Sequence, residues 1–180
     1  MPTILVVDLE ATCDENAPSF DMETIEIGVV VLVVADGFVH ELDRFQSLVR
    51  PLVHPTLTPF CSALTGIRQT DVDSAPAFPV VAEALRAFVA RHRQPGATWA
   101  SWGAWDRKQL DRDSARHGIT PPIDLPHVNA KRLFAKARRI GKEVGMAKAC
   151  ELVGLRREGA HHRALDDALN VARLLPWVLG

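Results

Sequence analysis

The sequence predicts an α/β layer fold built on a mixed sheet. Three observations carry this. The short apolar run Thr3-Ile-Leu-Val-Val-Asp8 reads as a buried central strand. Two long β-forming segments follow it, Glu26 to Val34 and Phe38 to Val49, joined by the turn signal Ala35-Asp36-Gly37. From residue 79 onward apolar residues recur at helical spacing, and these stretches alternate with short strands.

The elements follow in order. A polar loop runs from the first strand through Cys13-Asp-Glu-Asn-Ala-Pro-Ser19, so the opening unit is three antiparallel strands. Pro51, Pro55 and Pro59 mark a long crossing loop, with short helices expected over Phe60–Leu64 and Gln69–Asp73. Pro79 to His92 places Val81, Leu85, Phe88 and Val89 on one helical face, and Pro95-Gly96 stops it. Ala97 to Ser101 reads as a strand, and Trp105 to His117 as a helix ended by Gly118. Pro121, Pro122 and Pro126 hold an irregular stretch, after which Val128-Asn129 enters a basic helix, Ala130 to Arg139. Gly145 to Val153 and Arg163 to Leu179 are the last two helices.

At 180 residues, without repeats, low-complexity tracts or a Gly/Ser linker, the chain is expected to form one domain over 1–180. No apolar run is long enough to span a bilayer, and Met1-Pro2-Thr3 lacks the basic start of a signal peptide. Cys13, Cys61 and Cys150 are few, far apart and in no CxxC pair. That argues against a disulfide framework and points to a reducing, cytoplasmic setting without membrane partners. The net charge of −1 conceals an asymmetry: residues 1–90 carry a balance of −9 and residues 91–180 one of +8. Such a division suits a cation site facing a polyanion site, or else a solvated basic helix.

Three acidic motifs carry the chemistry. Asp8 and Glu10 close the first strand, and residues two apart on a strand project to one side. Two like charges at a buried edge repel, and a divalent cation removes that cost. Asp106, in Ser-Trp-Gly-Ala-Trp105-Asp106, opens a helix after another apolar strand, where an anion is favoured in any case. Asp111 and Asp113 on that helix read as solvated. In His161-His162-Arg-Ala-Leu-Asp166-Asp167, helix phase decides between the aspartates. Asp167 shares a face with Val171, Leu174 and Val178 and turns inward, whereas Asp166 turns to water. His162 precedes this helix closely enough to serve as a general base, with His161 as its exposed neighbour. Four such carboxylates suit two divalent ions, and an oxygen-only set suits Mg²⁺ or Mn²⁺ rather than zinc.

These three motifs resemble those of the DEDDh (DnaQ-like) 3′→5′ exonucleases, and the chain is most similar to the enhanced-RNAi and KapD-like branch. Met22-Glu23-Thr-Ile-Glu26-Ile-Gly28, Phe60-Cys-Ser-Ala-Leu-Thr-Gly66-Ile, Ala75-Pro-Ala-Phe78 and Gly159-Ala-His-His extend the resemblance along nearly the whole chain. It implies a ribonuclease H-like fold with a mixed five-stranded sheet flanked by helices. It also implies hydrolysis of single-stranded RNA or DNA from the 3′ end, releasing nucleoside 5′-monophosphates. In that scheme Asp8, Glu10 and Asp167 hold the metal carrying the attacking water. Asp8 bridges to a second ion supported by Asp106, and His162 takes the water's proton. Ala11, Thr12, Leu64, Thr65, Gly66 and Trp105 would hold the terminal nucleotide, with Trp105 either stacking on a base or packing in the core. The stretch Lys131-Arg132, Lys136, Arg138-Arg139 and Lys142 either attracts a single strand or is a solvated helix face. Ala104 stands where some bacterial relatives carry an acid. No appended nucleic-acid-binding domain is expected, so substrate selection falls to this domain or to a partner protein.

Two other classes compete. Asp8-Leu-Glu10-Ala-Thr12 also resembles the start of haloacid-dehalogenase-type phosphatases, where Asp8 would be a nucleophile. That scheme leaves the His-His…Asp-Asp cluster without a role. The third reading is a non-catalytic nucleic-acid-binding adaptor, against which the complete acidic set and His162 argue. The pattern carries no mark of an oligomer interface.

Overall fold

The computed structural model describes residues 3–17, 21–35 and 38–179. The strands are β1 (Thr3–Ala11), β2 (Thr24–Ala35), β3 (Phe38–Leu48), β4 (Thr98–Ser101) and β5 (His127–Asn129). The helices are α1 (Pro59–Thr65), α2 (Gln69–Asp73), α3 (Phe78–His92), α4 (Trp105–Arg116), α5 (Ala130–Ala137), α6 (Met146–Leu152), α7 (Ala164–Leu174) and α8 (Pro176–Leu179). The five strands lie in the order β3-β2-β1-β4-β5. β1, β2 and β3 pair antiparallel, and β4 and β5 add in parallel. This is the mixed five-stranded sheet that the sequence leads one to expect. The Asp36-Gly37 turn and Pro18-Ser19 of the first loop lie outside the described residues.

Three boundaries move for physical reasons. β1 runs three residues past Asp8, because Leu9, Glu10 and Ala11 continue the ladder opposite Ile27, Glu26 and Thr24. The last helix is two: Pro176 has no N–H to donate, so α7 stops at Leu174 and α8 restarts at Pro176. α5 ends at Ala137, with Arg139 at φ 52° and Gly141 at φ 73° turning the chain back.

Strand parity divides the core into two layers. The odd residues Leu5, Val7, Leu9, Ile27, Val29 and Val31 pack with Val81, Leu85 and Phe88 of α3 and Leu110 of α4. On the opposite face Val6 and Val30 pack with Phe134 of α5, Ala149 of α6 and Val171 and Leu174 of α7. Asp8 and Glu10 have the parity of Val6, so they project toward the α7 layer. A smaller cluster, formed by Ile25, Leu57, Cys61, Ile67 and Val72, seats α1 and α2 at the end of the sheet. Among the described residues no helix is long and apolar enough to cross a membrane.

Candidate active site

The acidic site forms where α7 lies against the carboxyl end of β1, and two residues of β2 fix that approach. Asp8 is opposite Gly28 in the ladder. A Cβ on Gly28 would stand 2.3 Å from the Ala164 carbonyl carbon and from the Leu165 amide nitrogen. Only glycine admits the first turn of α7 at this depth. Two residues earlier, Glu26 is fully buried. It accepts from Arg163 Nη2 at 2.8 Å and Nε at 3.1 Å, from the Ala164 N–H at 3.0 Å and from Gln46 Nε2 at 2.8 Å. Burial alone would raise the Glu26 carboxyl, but these donors outweigh it and hold the group below its ordinary pKa. A charged clamp thus ties β2 to the residue just before α7.

With α7 so placed, one oxygen each from Asp8, Glu10 and Asp167 lies within 4.8 Å of the others. Glu10 and Asp167 are buried, and Asp8 is half-buried. Burial, and then repulsion from Asp167, Glu26 and Asp106, pushes Glu10 up to about 8. Asp8 is raised well above its ordinary value by burial and then by Asp106, Glu10, Asp167 and Glu26. Asp106 opens α4 as a buried carboxylate whose Oδ1 accepts from the Leu9 N–H at 3.1 Å. Burial lifts it to about 6, against the pull of its backbone and Ser101 hydrogen bonds. It stands outside the closest trio but lines the same cleft of about 330 Å³. Arg163, the cation that acts on Glu10, is committed to Glu26. Carboxylates crowded this closely with their compensating charge elsewhere fit a hard divalent cation.

Both histidines reach Asp167. His162 sits in the left-handed region at φ 63°, and its N–H donates to Asp167 Oδ2 at 2.9 Å. Burial, and then His161, lowers its pKa and favours the neutral imidazole. His161 is exposed, as the sequence suggests, yet its Nδ1 is 3.2 Å from both Asp167 oxygens. Its ring stacks on His162 with centroids 3.9 Å apart.

The expected nucleotide-contacting residues divide. Ala11, Leu64 and Trp105 line the cleft, with Trp105 41% exposed and therefore not a core residue. The Thr12 and Thr65 side chains are buried and occupied: Thr12 accepts from the Glu23 N–H, and Thr65 donates to the Cys61 carbonyl. Gly66 caps α1 at φ 69°.

Two expectations need correction. Asp113 is not solvated. It is buried, accepting from the Thr24 N–H at 3.0 Å, the Thr24 hydroxyl at 2.7 Å and Gln109 Nε2 at 3.0 Å, and pairing with Arg116. Asp111 is exposed as expected. Asp166 is half-buried rather than free in water, because it accepts from the Ala160 N–H at 2.8 Å and closes the turn before the histidines. Sequence reasoning also missed the structural work of Glu23, whose carboxylate accepts from the Leu52, Val53 and His54 N–H groups at 2.7–2.8 Å. A charged residue on an otherwise apolar strand was the available signal for Glu26; Glu23 lies just before β2 and gave none.

Comparison with known proteins places the fold in a family. Residues 5–175 match the Exonuclease (RNase_T) family. The 3′-5′ exonuclease eri1 of Schizosaccharomyces pombe is 31% identical over 96% of this chain and 66% of its own length. Human 3′-5′ exoribonuclease 1 is 31% identical over 95% of this chain and 50% of its own. The chain thus spans about half to two thirds of these relatives. Among solved structures, the nuclease domain of 3′hExo, a DEDDh family member bound to rAMP, superposes with a TM-score of 0.88 at 29% identity, covering 98% of this chain and 91% of that one. Cell-death related nuclease 4 superposes with a TM-score of 0.85 at 26% identity, over 98% and 63% of the two chains. On the fold, the acidic cleft and these matches, the chain belongs to the Exonuclease (RNase_T) family, among nucleases of the DEDDh type.

Proposed function

We propose that this protein is a metal-dependent 3′→5′ exonuclease that removes nucleoside 5′-monophosphates from single-stranded nucleic acid, with RNA as the favoured substrate. The observation that carries the reading is the trio of Asp8, Glu10 and Asp167 oxygens within 4.8 Å, crowded in a cleft that Asp106 and His162 also line. RNA is favoured because the similar proteins are named exoribonucleases, and one was solved with rAMP.

Asp8, Glu10 and Asp167 would hold the first divalent ion, Mg²⁺ or Mn²⁺, and Asp8 with Asp106 a second. Such ions, when bound, neutralise charge building on the phosphate and on the leaving 3′ oxygen and acidify a bound water. His162 is the proton acceptor. Its neutral ring faces the cleft, and its backbone is fixed to Asp167, so the base and the carboxylate share one frame. His161, at hydrogen-bond distance from Asp167, steadies that carboxylate from the solvent side. Trp105 offers a base-stacking face beside Leu64 and Ala11, worth about 1–3 kcal/mol for one base. Thr12, Thr65 and Gly66 act through backbone position, holding the walls that Ala11 and Leu64 present.

The test is a gel of 5′-labelled RNA and DNA oligonucleotides with Mg²⁺ or Mn²⁺, with chelator, and with Asp8→Asn protein. A metal-dependent ladder shortening from the 3′ end, absent in the variant, supports the reading. Intact oligonucleotides in every lane with folded protein overturn it in favour of a binding adaptor.

A further inference from the structure

The cleft does not explain the basic second half of the chain. A separate concavity of about 440 Å³ is lined by Arg132 and Lys136 of α5, by Arg139 and Lys142 of the turn that follows, and by one carboxylate, Glu143, so its balance is four cations to one anion. All four are exposed, and none forms an ion pair among the described residues. Elsewhere many basic side chains are committed: Arg44, Arg68, Arg93, Arg116, Arg163 and Arg173 all pair with carboxylates. Arg132 and Lys136 stand one turn apart on the same helix face, a like-charge spacing that costs a few tenths of a kcal/mol when nothing neutralises it. Arg139, in the left-handed region, and Gly141 then bring Lys142 to the same hollow. This left-handed residue is the ordinary close of α5, where the Ile140 N–H returns to the Ala135 carbonyl at 3.2 Å.

This cup adjoins the cleft. Trp102 lines the cleft, donates its Nε1–H to the Val144 carbonyl at 3.0 Å and packs on Phe134 of α5 with ring centroids 5.6 Å apart. Met146 lines the cleft as well and is four positions on from Lys142, so their Cα atoms are at most about 14 Å apart. Lys131, at the start of α5, reaches over Gly103, two residues before Trp105. Stacked nucleotides place a phosphate about every 3.4 Å along a strand, so Lys142, at the edge of the cup, lies within about four nucleotides of the cleft.

We propose that the Arg132–Lys136–Arg139–Lys142 cup is a second subsite, which holds backbone phosphates of the substrate strand a few nucleotides upstream of the 3′ end. The proposal rests on the exonuclease reading for its direction, 5′ of the cut. It makes the enzyme a length sensor. Oligonucleotides too short to reach the cup are held by the cleft alone, and longer ones gain an electrostatic anchor that carries no base sequence.

The experiment pairs fluorescence anisotropy, in chelator, with steady-state turnover in Mn²⁺. It uses a labelled RNA trimer and a labelled single-stranded RNA twelve-mer. The proteins are the intact chain, the Arg132→Ala/Lys136→Ala/Arg139→Ala/Lys142→Ala variant, and a charge-matched control, Arg50→Ala/Arg91→Ala/Arg93→Ala/Lys148→Ala. For the twelve-mer, the cup variant is expected to raise KM by about tenfold or more with kcat unchanged. It should also flatten the log Kd against log salt slope by about two, roughly three lost phosphate contacts. For the trimer it should change neither. Equal affinity and slope for the cup variant and intact protein overturn the proposal. So does an equal loss in the control, which assigns the effect to net charge. Anisotropy needs no cleavage: a cup effect without any ladder would sink the exonuclease reading and leave the subsite standing as a strand-binding site. A ladder with unchanged KM would do the reverse.

Discussion

His162 is held by its backbone more than by its ring. A positive φ is costly for a branched or bulky residue, and here it is retained by the N–H bond to Asp167 and by the neighbouring Arg163, which grips Glu26. His162→Ala is therefore expected to lower kcat by about 10²–10⁴-fold while leaving oligonucleotide affinity within about twofold, measured by turnover and anisotropy together. The raised carboxyls supply a second expectation, on stability. Glu10, up at about 8 in the folded chain against an ordinary 4.5, binds more protons folded than unfolded across that interval. Stability of the metal-free protein therefore falls as pH rises through it. His162, lowered from 6.5, works in the opposite sense below that value. Melting in chelator should show Tm climbing as pH drops from about 8 to about 6.5, and Glu10→Gln should shrink the slope, leaving the share that Asp8 contributes. A slope of the opposite sign would contradict the crowding argument. Glu10→Gln should also raise the metal-free Tm while abolishing turnover, since the mutual repulsion goes with the function.

At the scale of elements, the site depends on how one helix meets one strand pair. Removing Glu26 as the partner of Arg163 leaves a half-buried cation and an uncapped Ala164 N–H. Glu26→Ala is expected to cost about 3–5 kcal/mol, read from denaturant unfolding. Gly28→Ala forces its new methyl against the α7 backbone, so it should lower both Tm and Mn²⁺ affinity although no ligating atom has changed. Much of this geometry was legible beforehand. Period-two alternation put Asp8 and Glu10 on one face, and the 3.6-residue phase chose Asp167 over Asp166. The partners of Glu23, Glu26 and Asp113 were not legible. Their donors lie up to 138 residues away, and local periodicity reports which face a side chain takes but not what waits there. Asp113 was misjudged for that reason: a polar residue on a polar helix reads as wet until Thr24 is seen to meet it.

The whole molecule separates its charges along the chain and then folds them into contact. The acidic half contributes Asp8, Glu10, Glu23 and Glu26, and the basic half contributes both the clamp Arg163 and the cup. The asymmetry visible in the sequence is thus divided between intramolecular pairing and an exposed cationic hollow, a division that counting alone does not provide. Because the ligand set exists only in the folded state, divalent ions should stabilise by mass action, about 2.7 kcal/mol at a hundredfold excess over Kd. A titration of Tm against Mn²⁺ checks this, and Asp8→Asn should blunt the rise. The docking of α7 on Gly28 has a further consequence in time. Asp8 and Glu10 are made well before their third partner, Asp167, which lies far along the chain. A nascent chain, or one clipped ahead of α7, therefore holds a pair of carboxylates and no blade. The ligand set would close in a single step, when α7 docks on β2.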